Sequence, residues 1–440
     1  MAEPLKVGLA GLGTVGSAVV DLLDQGRDKL IARCGRPIEI VAINARSRSK
    51  KRGFDLKRFR WVEDPVVLAR DPSIDVMVEV VGGSGDPAKR IVETALGAKK
   101  PVVTANKALL AAHGQKLAAL AEKAGVALNF EASVAGGIPI VKTLREGLNG
   151  ASFSRIYGIL NGTCNYMLSR MEQERLSYEA CLRDAQALGY AEADPTFDVE
   201  GYDTAQKLAI LASLAFGTRI DEKAIYVEGI SSISLADLDA ASELGYRIKL
   251  LGVAVKTDAG IEQRVHPTMV PKESAIAQVM GVTNAVTMDA VGLAPITLVG
   301  PGAGGAATAS AIVSDLGDIA RGIVTSPFGR PVSRMTAIRK APMQHHEGGY
   351  YIRLLARDRP GTAATIAHRL AQQGISLESI VQRHPPGSRG AATPGRSNEA
   401  VPVIMITYAT SEDAVRKALA AVRGDKVISG RPQVIRIEKN

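Results

Sequence analysis

Two clusters of residue types in this chain could do chemistry. The first is Gly11-Leu12-Gly13-Thr14-Val15-Gly16, with three glycines at G-x-G-x-x-G spacing. Gly11 permits a tight turn, Gly13 lets the backbone approach a pyrophosphate, and Gly16 lets a helix pack on the strand before it. Thr14 and Val15 then open that helix, where free N–H groups meet phosphate. A plain glycine-rich turn is the competing reading. The second cluster is acidic: Glu192, Asp194, Asp198, Glu200 and Asp203, followed by Lys207. Asp203 and Lys207 are four apart on a helical pattern, so they share a face and can form an ion pair. An exposed, merely stabilising pair would look the same. Lys207 stands among Leu208, Ile210 and Leu211, where partial burial would tune its proton affinity for acid–base work. Glu192 and Asp198, in the preceding loop, could bind a substrate ammonium.

These residues need elements to hold them. The glycine motif lies between a short apolar run that begins at Lys6 and a helical pattern reaching Leu23. "IEIVAINA" (38–45), "IDVMVEVV" (74–81), "PVVTAN" (101–106) and "VALNFEAS" (126–133) read as further strands, with helices at 88–96 and 108–124 between them. Runs apolar on both faces suit a parallel sheet covered by helices, so residues 1–135 read as a doubly wound α/β unit of Rossmann type. In that fold the carboxyl ends of the strands face the ligand crevice, which places Lys107, just after "VVTAN", within reach of substrate or cofactor. A surface lysine opening a helix is the alternative. An acid after the second strand would hold the ribose hydroxyl of NAD, whereas an arginine can hold the 2′-phosphate of NADP. The chain offers Asn44-Ala45-Arg46-Ser47-Arg48-Ser49-Lys50 with no carboxylate. NADP is therefore the expected cofactor, with Arg46 the first phosphate partner and Arg48 the next. NAD stays open, and a solvated basic loop competes for Arg48 and Lys50.

Residues 136–320 read as a second, α+β unit of long helices and amphipathic strands, whose Gly-rich stretch 300–316 leads into another helix. Residues 321–347 read as a linker. Residues 348–440 give a βαββαβ order, interrupted at 383–401 by a Pro/Gly/Arg/Ser stretch expected to be a mobile loop. Hydrophobic residues make up 46% and charged ones 22%, the composition of a folded globular protein. The net charge of +9 is spread along the chain and aromatics are scarce, which favours small anionic ligands over nucleic acid. Cys34, Cys164 and Cys181 show no C-x-x-C spacing, and no window approaches 18 consecutive apolar residues. The expectation is a reducing, cytoplasmic setting without structural zinc and without membrane insertion.

Taken together, "GLAGLGTVGSAV", "VEVVGG", "VVTANKALLA", "FEASVAGGIPI", "GILNGTCNYML", "LGYAEADPTFDVEGYDTAQKLAIL", "LGYRIKLLGVA" and "GPGAGGAATASAIVSDL" resemble, in order, the motifs of homoserine dehydrogenase. The terminal segment with "DRPG" resembles the ferredoxin-like ACT domain of the longer bacterial form. The resemblance implies reversible, NAD(P)-dependent reduction of L-aspartate 4-semialdehyde to L-homoserine, on the way to threonine and methionine. It makes 136–320 the catalytic, substrate and dimerisation unit, with 300–316 returning to the cofactor unit. It makes Lys207 the proton donor, Asp203 the acid that orients it, and Lys107 a lysine near both cofactor and substrate, without deciding which lysine gives the proton. Glu192 would bind the ammonium of the amino acid, with Asp198, Tyr190 and Thr163 completing the substrate set. Gly83, Gly302 and Gly304 would join the cofactor site. Backbone carbonyls of Glu131, Val134, Gly136 and Ile138 would hold a structural sodium ion. The ACT resemblance implies a homo-oligomer, dimer or tetramer, that binds threonine as effector near Asp358, Gly361, Ser379 and Gln382.

Two rival readings stay in view. Aspartate-semialdehyde dehydrogenase would need a cysteine nucleophile, and Cys164 is the one plausible candidate. A non-catalytic sensor of NADPH and an amino acid would have no use for the Glu192, Asp203 and Lys207 set. The missing acid after the second strand yields a first prediction: Arg46→Ala raises the KM for NADP and leaves that for NAD unchanged, because an arginine–phosphate contact is charge-assisted. Steady-state kinetics with both cofactors check it, and equal effects would remove the phosphate role.

Overall fold

In the computed structural model, residues 2–343, 346–382 and 400–438 are described. The expected loop at 383–401 lies outside them except for its last two positions. The Val/Ile runs near the N-terminus are β1 (Leu5–Ala10), β2 (Ile38–Asn44), β3 (Arg60–Trp61), β4 (Val76–Glu79), β5 (Val102–Thr104) and β6 (Leu128–Asn129). They pair in parallel in the order β3-β2-β1-β4-β5-β6, so the strand order reverses between β1 and β4, where such sheets bind ligands. Helices α1 (Thr14–Gln25), α2 (Arg27–Cys34), α3 (Pro65–Ala69), α4 (Ala88–Gly97) and α5 (Lys107–Ala124) connect the strands. The run 126–133 is strand only at β6. Beyond it residues 131–133 turn as a 3-10 helix, because the Glu131 N–H donates to the buried Asp315 carboxylate at 3.0 Å instead of a neighbouring strand.

The middle of the chain builds α6 (Ile140–Lys142), β7 (Phe153–Ile159), α7 (Gly162–Glu174), α8 (Tyr178–Ala187), α9 (Thr196–Val199), α10 (Tyr202–Phe216), β8 (Tyr226–Val227) and α11 (Leu235–Glu243). It continues with β9 (Tyr246–Thr257), β10 (Gly260–Pro271), β11 (Thr283–Ala290), β12 (Ile296–Pro301) and α12 (Gly305–Ala320). Helix α10 lies close on the sheet because Gly252 of β9 leaves room for it: a Cβ there would stand 3.0 Å from Thr204 and 3.2 Å from Leu160. Asp198, read as part of a loop, is in the short helix α9. Helix α12 packs back on the cofactor unit, with Ala309, Ile312 and Leu316 in one apolar cluster with Leu9, Val19 and Leu23.

The C-terminal unit has the expected order: β13 (Glu347–Arg357), α13 (Thr362–Gln372), β14 (Leu377–Gln382), β15 (Ala400–Thr407), the two-residue β16 (Thr410–Ser411), α14 (Glu412–Gly424) and β17 (Ile428–Ile437). Its strands run β17-β13-β15-β14, and α13 packs beside α14. Read from its sequence as a separate module, it shares a sheet with the middle unit. The end of β17 pairs in parallel with β10, Thr268 with Arg436 and Met269 with Ile437, giving one sheet of eleven strands among the described residues. Polar groups carry the junction. Buried Arg436 pairs with Glu228 at 2.6 Å and with Glu412 at 2.8 Å. Asp237 of α11, fully buried, accepts from Arg353 Nε at 2.6 Å and from the Tyr351 hydroxyl at 3.0 Å. Removing one partner of a buried pair strands the other charge. Asp237→Ala is therefore expected to cost about 3 kcal/mol of stability, measured by denaturant unfolding; a loss within about 0.5 kcal/mol, the usual range for surface changes, would show the junction to be a loose contact.

Candidate active site

The site forms where the end of β7, the start of α5 and the first two turns of α10 meet. Just after β7, Asn161 caps α7, its Oδ1 accepting from the Cys164 N–H at 2.8 Å. Its Nδ2 points the other way and donates to Asp198 Oδ1 and to Asp203 Oδ2, both at 2.8 Å. Between these two acids Gly201 adopts φ +87, which lets the chain turn from α9 into α10; a Cβ there would lie 2.9 Å from Val265 Cγ1. One helical turn on, Lys207 Nζ donates to Asp203 Oδ2 and to the Leu160 carbonyl, both at 2.7 Å. Lys107, the first residue of α5, reaches Asp203 Oδ1 at 3.3 Å. One buried carboxylate thus holds two ammonium groups, one on each oxygen. An ammonium has three N–H bonds; Lys207 uses two here and keeps one for a further acceptor.

Lys107 is aimed by groups to which the sequence assigned no role. Its neighbour Asn106 caps α5 through the Leu109 N–H at 3.0 Å and donates to the Gly83 carbonyl at 2.8 Å. Glu79, wholly buried at the end of β4, accepts from the Thr104 hydroxyl at 2.6 Å and from the Val81 and Gly82 N–H groups at 2.8 and 3.1 Å. A glutamate inside the apolar run "VMVEVV" was the signal available for it. Asn161 gave none beyond its place before a helix.

Electrostatics separate the two acids. Burial pushes the Asp203 carboxyl upward, but the ammonium groups of Lys207 and Lys107 outweigh it and hold the group below the ordinary carboxylate value. Asp198 moves the other way, raised by burial first and then by the negative charge of Asp203. Burial also pushes the Cys164 thiol well above its usual value, and its S–H donates to the Asp198 carbonyl at 3.2 Å. A thiol so held is no nucleophile, which removes the reading as aspartate-semialdehyde dehydrogenase.

Around this centre the Thr163 hydroxyl donates to the Tyr190 carbonyl at 2.6 Å, and the Tyr190 ring stands edge-on to Tyr166 at 5.1 Å. Glu192 is exposed, and its side chain touches none of Asn161, Asp198, Asp203, Lys207 and Lys107 through a hydrogen bond or ion pair.

The nucleotide side is a cradle. Gly11 has φ +100, and a Cβ on it would strike the Val80 carbonyl at 2.5 Å; one on Gly16 would strike the Gly11 carbonyl at 2.0 Å. A Cβ on Gly13 would meet open space, and no side chain caps the N-terminus of α1. That leaves the backbone N–H groups of the first turn facing outward, as a pyrophosphate requires. Gly83 and Gly304 have φ +84 and +105, and Gly302 sits hard against Asn284. Gly305, at the start of α12, abuts Thr14. Arg46 is exposed, and Arg48 stacks over Trp61 at 5.7 Å. Arg52, another residue the sequence reading missed, ties the basic loop to the glycine turn: it donates to the carbonyls of Leu12 at 3.1 Å, Lys50 at 2.9 Å and Ser47 at 3.0 Å.

In the loop after β6, Ala135 and Gly136 have φ +51 and +22, and the Val134 and Gly136 carbonyls accept no hydrogen bond from the described residues. The Ile138 carbonyl accepts from the Ile140 N–H at 2.8 Å. The Glu131 carboxylate accepts from the Val141 and Lys142 N–H groups, both at 2.8 Å, and burial followed by the nearby Asp315 raises it to about 7. In the C-terminal unit, Asp358 is exposed, Gly361 has φ +88 at the start of α13, and Ser379 and Gln382 lie on the edge strand β14.

A doubly wound sheet with a phosphate cradle, joined beyond the carboxyl end of β5 to a lysine–aspartate–lysine cluster, defines a nicotinamide-dependent oxidoreductase. The comparisons with known proteins narrow this. Residues 11–131 match the model of the homoserine dehydrogenase NAD-binding domain, residues 139–316 that of homoserine dehydrogenase, and residues 350–423 that of the ACT domain. Homoserine dehydrogenase of Pseudomonas aeruginosa is 42% identical, with 99% of each chain covered, and that of Mycobacterium tuberculosis is 38% identical over 99% of this chain and 98% of that protein. The crystal structure of a homoserine dehydrogenase from Thiobacillus denitrificans superposes with a TM-score of 0.89 at 39% identity, covering 99% of this chain and 98% of that one. A hyperthermophilic archaeal homoserine dehydrogenase in complex with NADPH matches at TM-score 0.61 and 26% identity, covering 72% of this chain and 97% of its own. The chain belongs to the homoserine dehydrogenase family.

The shared amide of Asn161 leads to a prediction. Without it Asp198 loses a hydrogen bond that favours its charged form, and Asp203 loses one of its three donors. Asn161→Ala is expected to lower kcat about tenfold, the effect of about 1.4 kcal/mol, and to move the acid limb of the kcat/KM profile to higher pH. An unmoved limb would mean that Asn161 merely caps α7.

Proposed function

We propose that this enzyme interconverts L-aspartate 4-semialdehyde and L-homoserine, with NADP as the preferred cofactor, in the cytoplasmic route to threonine and methionine. The observation that carries the reading is Asp203 held between Lys207 and Lys107. A nicotinamide, when bound, would supply the hydride for the aldehyde carbon. The N–H of Lys207 that is left unused takes the aldehyde oxygen and gives it a proton as the negative charge develops. Lys107 adds a second positive charge beside the same oxygen, and Asp203 keeps both lysines aimed. Such positioning and charge stabilisation supply most of the acceleration in reactions of this kind. Glu192, with Asp198, Tyr190 and Thr163, receives the amino-acid end of the substrate. The α1 N-terminus with Gly11, Gly13, Thr14, Val15 and Gly16 holds the pyrophosphate, flanked by Gly83, Gly302 and Gly304, and Arg46 with Arg48 meets the 2′-phosphate.

The carbonyls of Glu131, Val134, Gly136 and Ile138 form the proposed sodium site, a reading supported by the positive φ angles that turn this loop and by the hard character of carbonyl ligands. Residues 1–135, 136–320, 321–347 and 348–440 are the proposed cofactor unit, substrate unit, linker and ACT unit. The ACT unit is proposed to bind threonine near Asp358, Gly361, Ser379 and Gln382 in a dimer or tetramer. Its matched family model supports regulation by a small molecule, and the threonine assignment rests on that likeness alone.

Two predictions follow from these roles. Lys207→Ala loses about 10²- to 10⁴-fold in kcat while NADPH binding, followed by fluorescence titration, is retained; near-normal turnover would make Lys107 the donor. Ser379→Ala combined with Gln382→Ala leaves basal activity intact and raises the threonine concentration needed for inhibition at least about tenfold, roughly what one lost charge-assisted contact costs. Unchanged inhibition would place the effector elsewhere.

A further inference from the structure

A cleft of about 830 Å³ lies where the C-terminal unit meets the middle one. One wall comprises Glu200 and the segment 226–232, and the other α14 with residues 431–436 of β17. Most charges along it are already engaged. Arg436 serves Glu228 and Glu412, Arg353 serves Asp237, and Arg416 pairs with Glu412 at 3.0 Å. Two are not. Arg431, exposed on the ACT wall, and Glu200, half-buried on the catalytic wall, have no hydrogen-bond or ion-pair partner among the described residues. Val415, Leu419 and Pro267 supply apolar lining. A free guanidinium and a free carboxylate across a partly apolar cleft complement a small zwitterion. Polyphosphates are disfavoured by Glu200, Glu228 and Glu412, and simple cations by the four arginines.

The cleft also touches the back of the active site. Gly229 packs so tightly on the end of α9 that a Cβ would meet the Val199 carbonyl at 2.4 Å and Glu200 Oε2 at 2.6 Å. The Ile230 N–H donates to the Val199 carbonyl at 2.8 Å. Glu200 itself lies between Asp198 and Asp203 in sequence, on the turn that delivers both to the site. A ligand bridging Arg431 and Glu200 would bear directly on that turn, with no subunit contact in between.

We propose that this cleft is a seat for a free L-α-amino acid with a short apolar side chain, its carboxylate on Arg431 and its ammonium on Glu200, which acts within one chain on the Asp198–Asp203 turn. This seat is distinct from the ACT turn at Asp358 and Gly361 and does not depend on threonine binding there.

The test is isothermal titration of the full chain with L-alanine and L-valine in turn, for the native protein and for Arg431→Glu and Arg431→Lys. Arg431 is exposed and outside the proposed catalytic and effector residues, so unchanged basal turnover reports that each variant is folded. At least one of the two amino acids is expected to bind and to shift the KM for homoserine. Arg431→Glu should weaken that binding at least about tenfold, the scale of one lost charge-assisted hydrogen bond, while Arg431→Lys keeps most of it. Binding of neither amino acid, or full-strength binding by Arg431→Glu, would overturn the proposal.

Discussion

The whole site depends on one buried carboxylate. Asp203 is 5% exposed, and an uncompensated charge at such a depth would cost several kcal/mol. Two lysines from different parts of the chain compensate it, Lys207 from its own helix and Lys107 from the cofactor unit. The three groups carry a net charge of about one positive unit, the complement of the alkoxide that the proposed reaction would form beside them. Because neither lysine leaves without stranding Asp203, the carboxylate also fixes how the cofactor unit faces the substrate unit.

The rest of the architecture can be read as support for that contact. Gly252 lets α10 lie against the sheet, Gly201 lets the chain turn into it, and Asn161 joins the acids on either side of the turn. On the cofactor side, Glu79 gathers the ends of β4 and β5, and Asn106 links them to the loop at Gly83. Val80 faces both Gly11 and Gly16. The phosphate cradle at the end of β1 and the start of α5 at the end of β5 therefore stand on one sheet with β4 between them, and the distance from the cradle to Lys107 is set by strand spacing rather than by a loop.

Much of this was legible in the sequence, for physical reasons. Continuous Val/Ile runs and a G-x-G-x-x-G turn are local signals, and the Asp203–Lys207 spacing is a helical one. What was hidden depends on distant partners. The 3-10 turn at Glu131 exists because of Asp315, which is 184 positions away. The meeting of Lys107 with Asp203 joins two units that each look complete alone. The joining of β17 to β10 escaped notice because two paired residues leave no pattern, although Arg436 and Glu228 are both charged residues inside strand-like runs. Asn161 gave no signal beyond its place before a helix; that it caps α7 and also joins two acids appears only when Asp198 and Asp203 are seen on either side of its amide.

The account turns on whether both lysines address the oxygen that becomes the alcohol. The most direct measurement is a crystal structure of the ternary complex with NADP and L-homoserine. The account predicts the homoserine hydroxyl oxygen within hydrogen-bond distance of Lys207 Nζ and close to Lys107 Nζ, with Asp203 still bridging the two. A hydroxyl bound to other groups, with both lysines turned only toward Asp203, would contradict it.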